Sequence, residues 1–160
     1  MAFPIKEHIC RVYRLPRSDE AVMARAGFLR QRDRDLVEAV LVEGQPVKAV
    51  ARMNGMTPRA LRCHIYHLAR LMVSRDFVQT VRAVAYLERQ EAYIATRCYC
   101  HEVSQRDLAA ELGLSVHALR RRLDQISSRI DTIMRRWWGD SPAWAEGEVA
   151  QEAAGITPGE

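Results

Sequence analysis

The chain contains one sequence pattern twice, and this duplication restricts the possible fold more than any other feature. The segment from Val50 to Arg62 is answered 58 residues later by the segment from Leu108 to Arg120. Apolar positions, a glycine, a hydroxyl residue and an arginine recur in the same order in both segments. A repeated pattern of this kind predicts two copies of one small structural unit.

Each copy predicts a short helix, a tight turn and a second helix. Gly55 and Gly113 suit the left-handed backbone that ends a helix, and Thr57 and Ser115 follow where an N-cap hydroxyl accepts from free N–H groups. Apolar residues at helical spacing then predict one buried face on each second helix. They are Ala60, Leu61, Ile65, Leu68 and Met72 in the first copy and Ala118, Leu119, Leu123, Ile126 and Ile130 in the second.

These patterns predict an all-α chain with two tandem helix-turn-helix units joined by a helical linker. Residues 1–17 are expected to form a basic arm with little regular structure, 18–73 the first domain, and 74–139 the second domain with an extended C-terminal helix. Residues 140–160 form an acidic tail that is expected to be disordered. Ser18 is the predicted N-cap of a helix running to about residue 31. A second helix, over about 32–43, is closed by Gly44.

The second helix of each unit leaves one face free for a partner. Its residue types suit DNA phosphates and base edges. The candidate DNA-binding residues are Thr57, Arg59, Arg62, Tyr66 and His67 in the first unit and Ser115, His117, Arg120, Arg121 and Arg122 in the second. The alternative is a helical bundle that uses a compact turn twice and whose arginines form a solvated face.

The charge of the chain favours a nucleic-acid partner. Residues 1–139 contain all 24 basic residues and 15 of the 20 acidic ones, so their formal charge is +9, although the whole chain carries only +4. Lys6 and Lys48 are the only lysines. Arginine suits bidentate contact with phosphate and guanine, although a GC-rich genome explains the same preference.

The lack of a long apolar run and of a signal pattern indicates the cellular compartment, and the compartment indicates the state of the cysteines. It contains no run of 18 apolar residues, and its N-terminus has no signal pattern, so we expect a bacterial cytoplasmic protein, nucleoid-associated when bound, with no membrane partner. The four cysteines, Cys10, Cys63, Cys98 and Cys100, are then reduced thiols. Neither Cys98, Cys100 and His101 nor Cys63 and His64 match structural zinc spacing, so no metal and no cofactor is predicted.

The predicted last helix carries an apolar stripe beyond the second unit. Leu119, Leu123, Ile126, Ile130, Ile133 and Trp137 alternate spacings of four and three, as in a heptad seam. The stripe either folds back on its own domain or forms a homodimer through Ile126, Ile130, Ile133 and Trp137. Because Trp137 and Trp138 are adjacent, the two indoles are not expected to face the same core.

Parts of this pattern resemble known helix-turn-helix families. The segment from Ala39 to Pro46, followed by Val50-Ala51, Asn54-Gly55-Met56-Thr57 and Ala60, resembles the helix-turn-helix of plasmid-borne KorA/TrfB-type transcriptional repressors. The same unit is similar to region 4 of bacterial sigma factors, and the second copy resembles a generic sigma-4 or LuxR-type unit. The resemblance covers residues 30–72 and implies sequence-specific binding of duplex DNA, usually by a dimer, with Thr57, Arg59, Arg62 and Tyr66 as contacts. The short repressors lack the second copy.

The sequence bears on three classes of function: a DNA-binding regulator, a protein-interaction module and an enzyme. A DNA-binding transcriptional regulator of a bacterium, plasmid or mobile element is the first prediction. The alternative is a sigma-region-4-like module that contacts RNA polymerase through its aromatic C-terminal helix. An enzyme is not predicted, because the sequence presents no paired carboxylates, activated nucleophile or metal ligands in a catalytic arrangement. Asp33 and Asp35, two residues apart, point to different faces of one helix.

Overall fold

The computed structural model describes residues 5–139, and the regular secondary structure within them consists of helices joined by turns and short irregular segments, with no strand. The all-α prediction is confirmed. The described helices are α1 (Ile5–Tyr13), α2 (Asp19–Ala26), α3 (Gln31–Val37), α4 (Val47–Met53), α5 (Pro58–Met72), α6 (Arg75–Ala83), α7 (Arg89–Ala95), α8 (Gln105–Glu111) and α9 (Val116–Trp138). The chain divides into two compact units, and the division falls between Val73 and Ser74. The expected tail, 140–160, lies outside the described residues.

The prediction of an irregular arm over residues 1–17 is wrong for residues 5–13, which form α1. Ile5, Ile9 and Tyr13 recur every four residues, so they share one helix face. Ile9 on that face is fully buried, and Leu15 just after the helix is buried too. The helix packs against α5 within the first unit. The apolar spacing of Ile5, Ile9 and Tyr13, and not the basic residues between them, decides the structure of this segment.

Helices α1, α3 and α4 all pack against α5 in the first unit. Ser18 caps α2 as predicted, with its hydroxyl accepting from the backbone N–H of Ala21. Helix α2 ends at Ala26 rather than near residue 31, because the chain turns at Gly27 and then buries Leu29. Arg25 is buried and donates to the carbonyl of Met72 over 3.2 Å, which ties α2 to the end of α5.

Each unit has a supporting helix whose last turn is π-helical. Helix α3 continues as Glu38–Val42, and α7 continues as Thr96–Cys100. Both segments are then ended by a residue with positive φ, Gly44 at 66° and Glu102 at 51°. The prediction that Gly44 closes its helix is confirmed. Since these features again lie 58 residues apart, the structural repeat extends back to the start of α3 and α7.

The second unit buries the apolar stripe of α9. Leu119, Leu123, Ile126, Ile130 and Met134 lie in one core with Ile94 of α7 and Leu108 of α8. The predicted dimer contact through Ile126 and Ile130 is therefore wrong, because this core already covers both side chains. Ile133 and Trp138 pack partly against the core. Trp137 is 57% exposed and stacks on Tyr86, so the two indoles do face different surroundings.

Candidate nucleic-acid interface

The turn between α4 and α5 is built by short-range hydrogen bonds. Gly55 adopts a φ of +64°, and the N–H of Met56 donates to the carbonyl of Ala51 over 2.9 Å. Thr57 then takes an extended conformation, and its hydroxyl accepts from the N–H of Ala60 over 3.1 Å. Pro58 occupies the first helical position, where a missing N–H has no cost. Helix α5 therefore starts at a defined point and direction.

The turn between α8 and α9 repeats this arrangement bond for bond. Gly113 has a φ of +66°, and the N–H of Leu114 donates to the carbonyl of Ala109 over 2.8 Å. The hydroxyl of Ser115 accepts from the N–H of Ala118 over 3.1 Å. The capping roles predicted for Thr57 and Ser115 are confirmed.

The predicted contact residues of α5 do not all lie on an open surface. Arg59 and Arg62 in the first two turns are exposed. Tyr66 is only half-exposed, because its ring lies against the rings of His8 and Tyr13 from α1. His67 is also half-exposed and stacks on His64, whose imidazole lies 2.7 Å from the carboxylate of Asp33. Since α1 covers part of the face of α5 that carries Tyr66, fewer of the candidate DNA-binding residues of α5 are exposed than the sequence predicted.

The predicted contact residues of α9 form a more open group. His117, Arg120 and Arg121 are exposed in the first two turns, and Arg122 beside them is half-exposed. The position equivalent to Tyr66 is Asp124, which is exposed. The start of α9 therefore presents three consecutive guanidinium groups to its surroundings.

The arginines in the chain fall into two groups by their partners. Arg97 donates to Glu111 over 2.7 Å, Arg129 donates to Glu91 over 2.6 Å, and Arg75 lies 3.8 Å from Asp131. The arginines at the starts of α5 and α9 form no ion pair with any described residue; they are Arg59, Arg62, Arg120, Arg121 and Arg122. The same holds for exposed arginines elsewhere, such as Arg70 and Arg135. An arginine without a carboxylate partner keeps its full charge for an external anion.

Three further polar residues lie on α4 and α8, the first helices of the two pairs, and the sequence patterns described above did not single them out. Lys48 and Arg106 are exposed at the second positions of α4 and α8, and they correspond to each other in the 58-residue register. Gln105 accepts a 3.0 Å hydrogen bond from Nε of Arg120. The repeat register would have identified Lys48 and Arg106, because both copies carry a basic residue there. Nothing in the sequence indicates the Gln105 bond.

The cysteines have different surroundings. Cys63 is exposed on α5 between the arginine positions and the half-covered Tyr66. Cys100 is buried, and burial raises the pKa of its thiol to about 12. Burial also raises the pKa of Cys98, chiefly by desolvation. Within residues 5–139 no three histidine, cysteine or acidic side chains are grouped so that they could hold a metal ion.

The fold and this surface together define an all-α chain with two repeated helix pairs, each presenting unpaired arginines where its second helix starts. Comparison with protein-family models, with curated proteins and with solved structures gave no match. In the part of the chain that the structure describes, no helix has the length and apolar character needed to cross a bilayer.

Proposed function

We propose that the chain is a transcriptional regulator that binds specific sequences of duplex DNA through the first turns of α5 and α9. The observation that carries this proposal is the pair of exposed arginine groups without carboxylate partners, one at the start of each helix. Most of the ion-paired arginines lie elsewhere, on α6, α7 and the middle of α9. Arginines without an ion pair occur elsewhere too, Arg70 and Arg135 among them, so what distinguishes these two groups is their matching position at the start of the second helix of each pair. Uncompensated cations at two matching positions favour a polyanionic partner.

The local geometry favours insertion of each helix into a major groove. A helix with its side chains is about 10–12 Å across, and the major groove of B-DNA is about 12 Å wide. Each helix begins directly after a tight turn, and Arg59, Arg62, Arg120 and Arg121 in its first two turns are exposed. Arg59 and Arg62 in α5 and Arg120 and Arg121 in α9 then stand where helix-turn-helix proteins contact base edges.

The starts of α5 and α9 are expected to contribute differently to DNA binding. Helix α1 covers Tyr66 in the first unit, whereas the equivalent position in the second unit is open. The start of α9 also carries three consecutive arginines, and the start of α5 carries two separated ones. We expect α9 to supply most of the sequence preference and α5 to add affinity.

Selection from a random pool of duplex DNA at moderate salt tests the proposal, with the recovered complex sized by light scattering. A palindromic site bound by two chains would support a dimeric regulator. A longer asymmetric site bound by one chain would mean that both units contact DNA. Failure to enrich any sequence over the starting pool would reject sequence-specific binding.

Matched arginine variants locate the interface. Replacing Arg120 and Arg121 with alanine should weaken binding and reduce the slope of log affinity against log salt by about 1 for each phosphate that is no longer neutralised. Arg135→Ala is the control, because Arg135 is exposed on the same helix about 22 Å further along. Arg62→Ala and its control Arg70→Ala test α5 in the same way. Equal effects of a variant and its control would exclude that helix start.

A second candidate function is docking on RNA polymerase, and one observation favours it. Tyr86 and Trp137 are 42% and 57% exposed, and their rings stack 5.5 Å apart at the end of α9. Exposed aromatic residues are enriched in protein interfaces. Capture of purified RNA polymerase by the wild-type chain but not by a Trp137→Ala variant would support this function. A chain that selects DNA and captures no polymerase would reject it.

A further inference from the structure

The hydrogen bond between Gln105 and Arg120 links the first residue of α8 to the second turn of α9. Nε of Arg120 donates to Oε1 of Gln105 over 3.0 Å, and both residues are exposed. Arginine has no acceptor atom, so the amide must turn its oxygen toward Arg120 and its NH₂ group away. The bond therefore orients both side chains at once.

Both ends of this bond are held by rigid local structure. Ser104 caps α8, accepting from the N–H of Asp107 over 3.1 Å and donating to its carboxylate over 2.6 Å. Ser115 caps α9 by accepting from the N–H of Ala118. Leu108 and Leu119 then lock the two helices into one core. The guanidinium of Arg120 is thus directed by two anchored helices rather than by its own flexible stem.

Engaging Nε leaves a defined set of donors on Arg120. The free donors are those of Nη1 and Nη2, and their outward pair matches the O6 and N7 acceptors of guanine in the major groove. The NH₂ group of Gln105 remains available for a neighbouring phosphate or base acceptor. Orientation before binding reduces the side-chain entropy that is lost when the contact forms.

The first unit lacks this arrangement, and the repeat register shows why. Arg62 is the equivalent of Arg120, but the equivalent of Gln105 is Val47, whose side chain cannot accept a hydrogen bond. Arg62 therefore has the same charge and helical position without the orienting partner. The chain provides its own comparison between a directed and an undirected arginine.

We propose that Gln105 is a positioning residue that makes Arg120 a reader of guanine, so that the second unit sets sequence preference at one base pair of the bound site. This inference rests on the proposed DNA-binding function. It assigns the reading of that base to the Gln105–Arg120 pair and not to Arg62. The partner chemistry is a guanine whose O6 and N7 face the major groove.

The test compares base preference, not affinity alone, for the full-length chain on the site it selects. Wild type should prefer guanine at one position by about fivefold to 150-fold, the usual discrimination of a good bidentate contact. Arg120→Ala should abolish that preference. Gln105→Val, which installs the first unit's residue, should reduce it at least severalfold, a larger factor than the accompanying loss in binding of random DNA. In an Arg120→Ala background, Gln105→Val should have no further effect on it.

Two further variants separate positioning from a change in folding. Gln105→Glu retains the acceptor oxygen, so it should keep the guanine preference while weakening binding to all sequences through phosphate repulsion. Gln90→Val on α7 is the matched control and should change nothing, since Gln90 is exposed at the second position of another helix and is not the residue that accepts from Arg120. Circular dichroism of each variant verifies the helical content.

The outcomes distinguish this inference from the function beneath it. Suppose that wild type enriches a site and that Arg120→Ala abolishes the preference for guanine at one position. If Gln105→Val retains that preference, Gln105 has no positioning role and the inference is overturned. It is equally overturned if no position of the site depends on Arg120. If wild type enriches no sequence, the proposed function fails and the inference fails with it.

Discussion

Arg97 and Glu111 are joined by a 2.7 Å hydrogen bond that ties the supporting helix α7 to the end of α8. The hydroxyl of Tyr93 donates to the same carboxylate. This contact pairs the charge of Arg97 with a carboxylate of the same unit, whereas Arg120 donates to the neutral amide of Gln105. Whether an arginine forms an ion pair within its unit or keeps its charge for an external partner thus depends on where the carboxylates lie.

The Glu111 carboxylate should make the stability of the second unit sensitive to acid. Hydrogen bonds from Tyr93 and then Arg97 lower its pKa below the usual 4.5. A carboxyl group whose pKa is lower in the folded state stabilises that state above its unfolded pKa, and this contribution is lost as pH falls through the folded pKa. The free energy of unfolding, measured by urea titration, should therefore fall more between about pH 5 and pH 3 for wild type than for Glu111→Gln.

Asp124→Asn is the control for this acid effect, since Asp124 is exposed and forms no ion pair within the described residues. Its pH profile should parallel that of wild type. A Glu111→Gln profile with the wild-type slope would show that the carboxylate does not contribute.

The left-handed turn at Gly55 should not tolerate a side chain, whereas Gly27 should. A Cβ on Gly55 would meet no atom within 4 Å, so the cost of Gly55→Ala comes from its φ of +64° alone, about 1–2 kcal/mol. Gly27 has a right-handed φ of −57°, and a Cβ there would meet its nearest atom at 3.4 Å. Gly27→Ala should be neutral or stabilising by about 0.4–1 kcal/mol. Thermal unfolding of both variants measures the difference, and equal effects would contradict this explanation.

The N-cap at Ser115 should contribute to the stability of α9. Ser115→Ala leaves the N–H of Ala118 without its acceptor, and we expect a loss of about 1 kcal/mol in the free energy of unfolding. Ser128→Ala on the exposed face of the same helix should stay within about 0.5 kcal/mol of wild type. Urea titrations followed by circular dichroism compare them. Similar losses for both serines would mean that the cap has no special role.

The stripe on α9 should behave as a core and not as a dimer interface. Ile126→Ala should lower the free energy of unfolding by about 2–5 kcal/mol, because it leaves a cavity among buried side chains. Trp137→Ala removes a stacked, half-exposed ring and should cost about 1 kcal/mol. Unfolding midpoints should not change with protein concentration. A concentration-dependent midpoint that Ile126→Ala abolishes would restore the dimer hypothesis.

The two cysteines Cys63 and Cys100 should differ sharply in reactivity. Iodoacetamide attacks the thiolate, and Cys100 is buried with its pKa raised to about 12. Cys63 is exposed, so at pH 8 the folded chain should be alkylated at Cys63 well before Cys100. Mass spectrometry of peptides at successive times measures the order. Denaturation by urea should remove the difference, and early labelling of Cys100 in the folded chain would contradict its burial.

Much of each helix pair could be predicted because the determinants are local. The hydroxyls of Thr57 and Ser115 cap N–H groups three residues ahead, and Gly55 and Gly113 end helices through their own φ angles. The apolar period of 3.6 likewise predicted that Leu61 and Leu119 are buried, but its prediction for Ala60 is wrong, because Ala60 is exposed in the first turn of α5. By contrast, the basic composition of residues 1–17 favoured an irregular arm, although the apolar spacing within it encodes α1. The heptad seam on α9 alone did not distinguish a core from an interface.

The sequence by itself determined the repeat, the two turns, the caps and the arginines at the helix starts, because these depend on residues within about four positions of one another. Tertiary structure decided which surfaces stay open. It brought His8 and Tyr13 onto Tyr66, Glu111 onto Arg97 and Gln105 onto Arg120, contacts that span 14 residues or more. It also placed Ile126 and Ile130 in a core. Such pairings depend on how whole helices pack, and no short-range pattern encodes that packing.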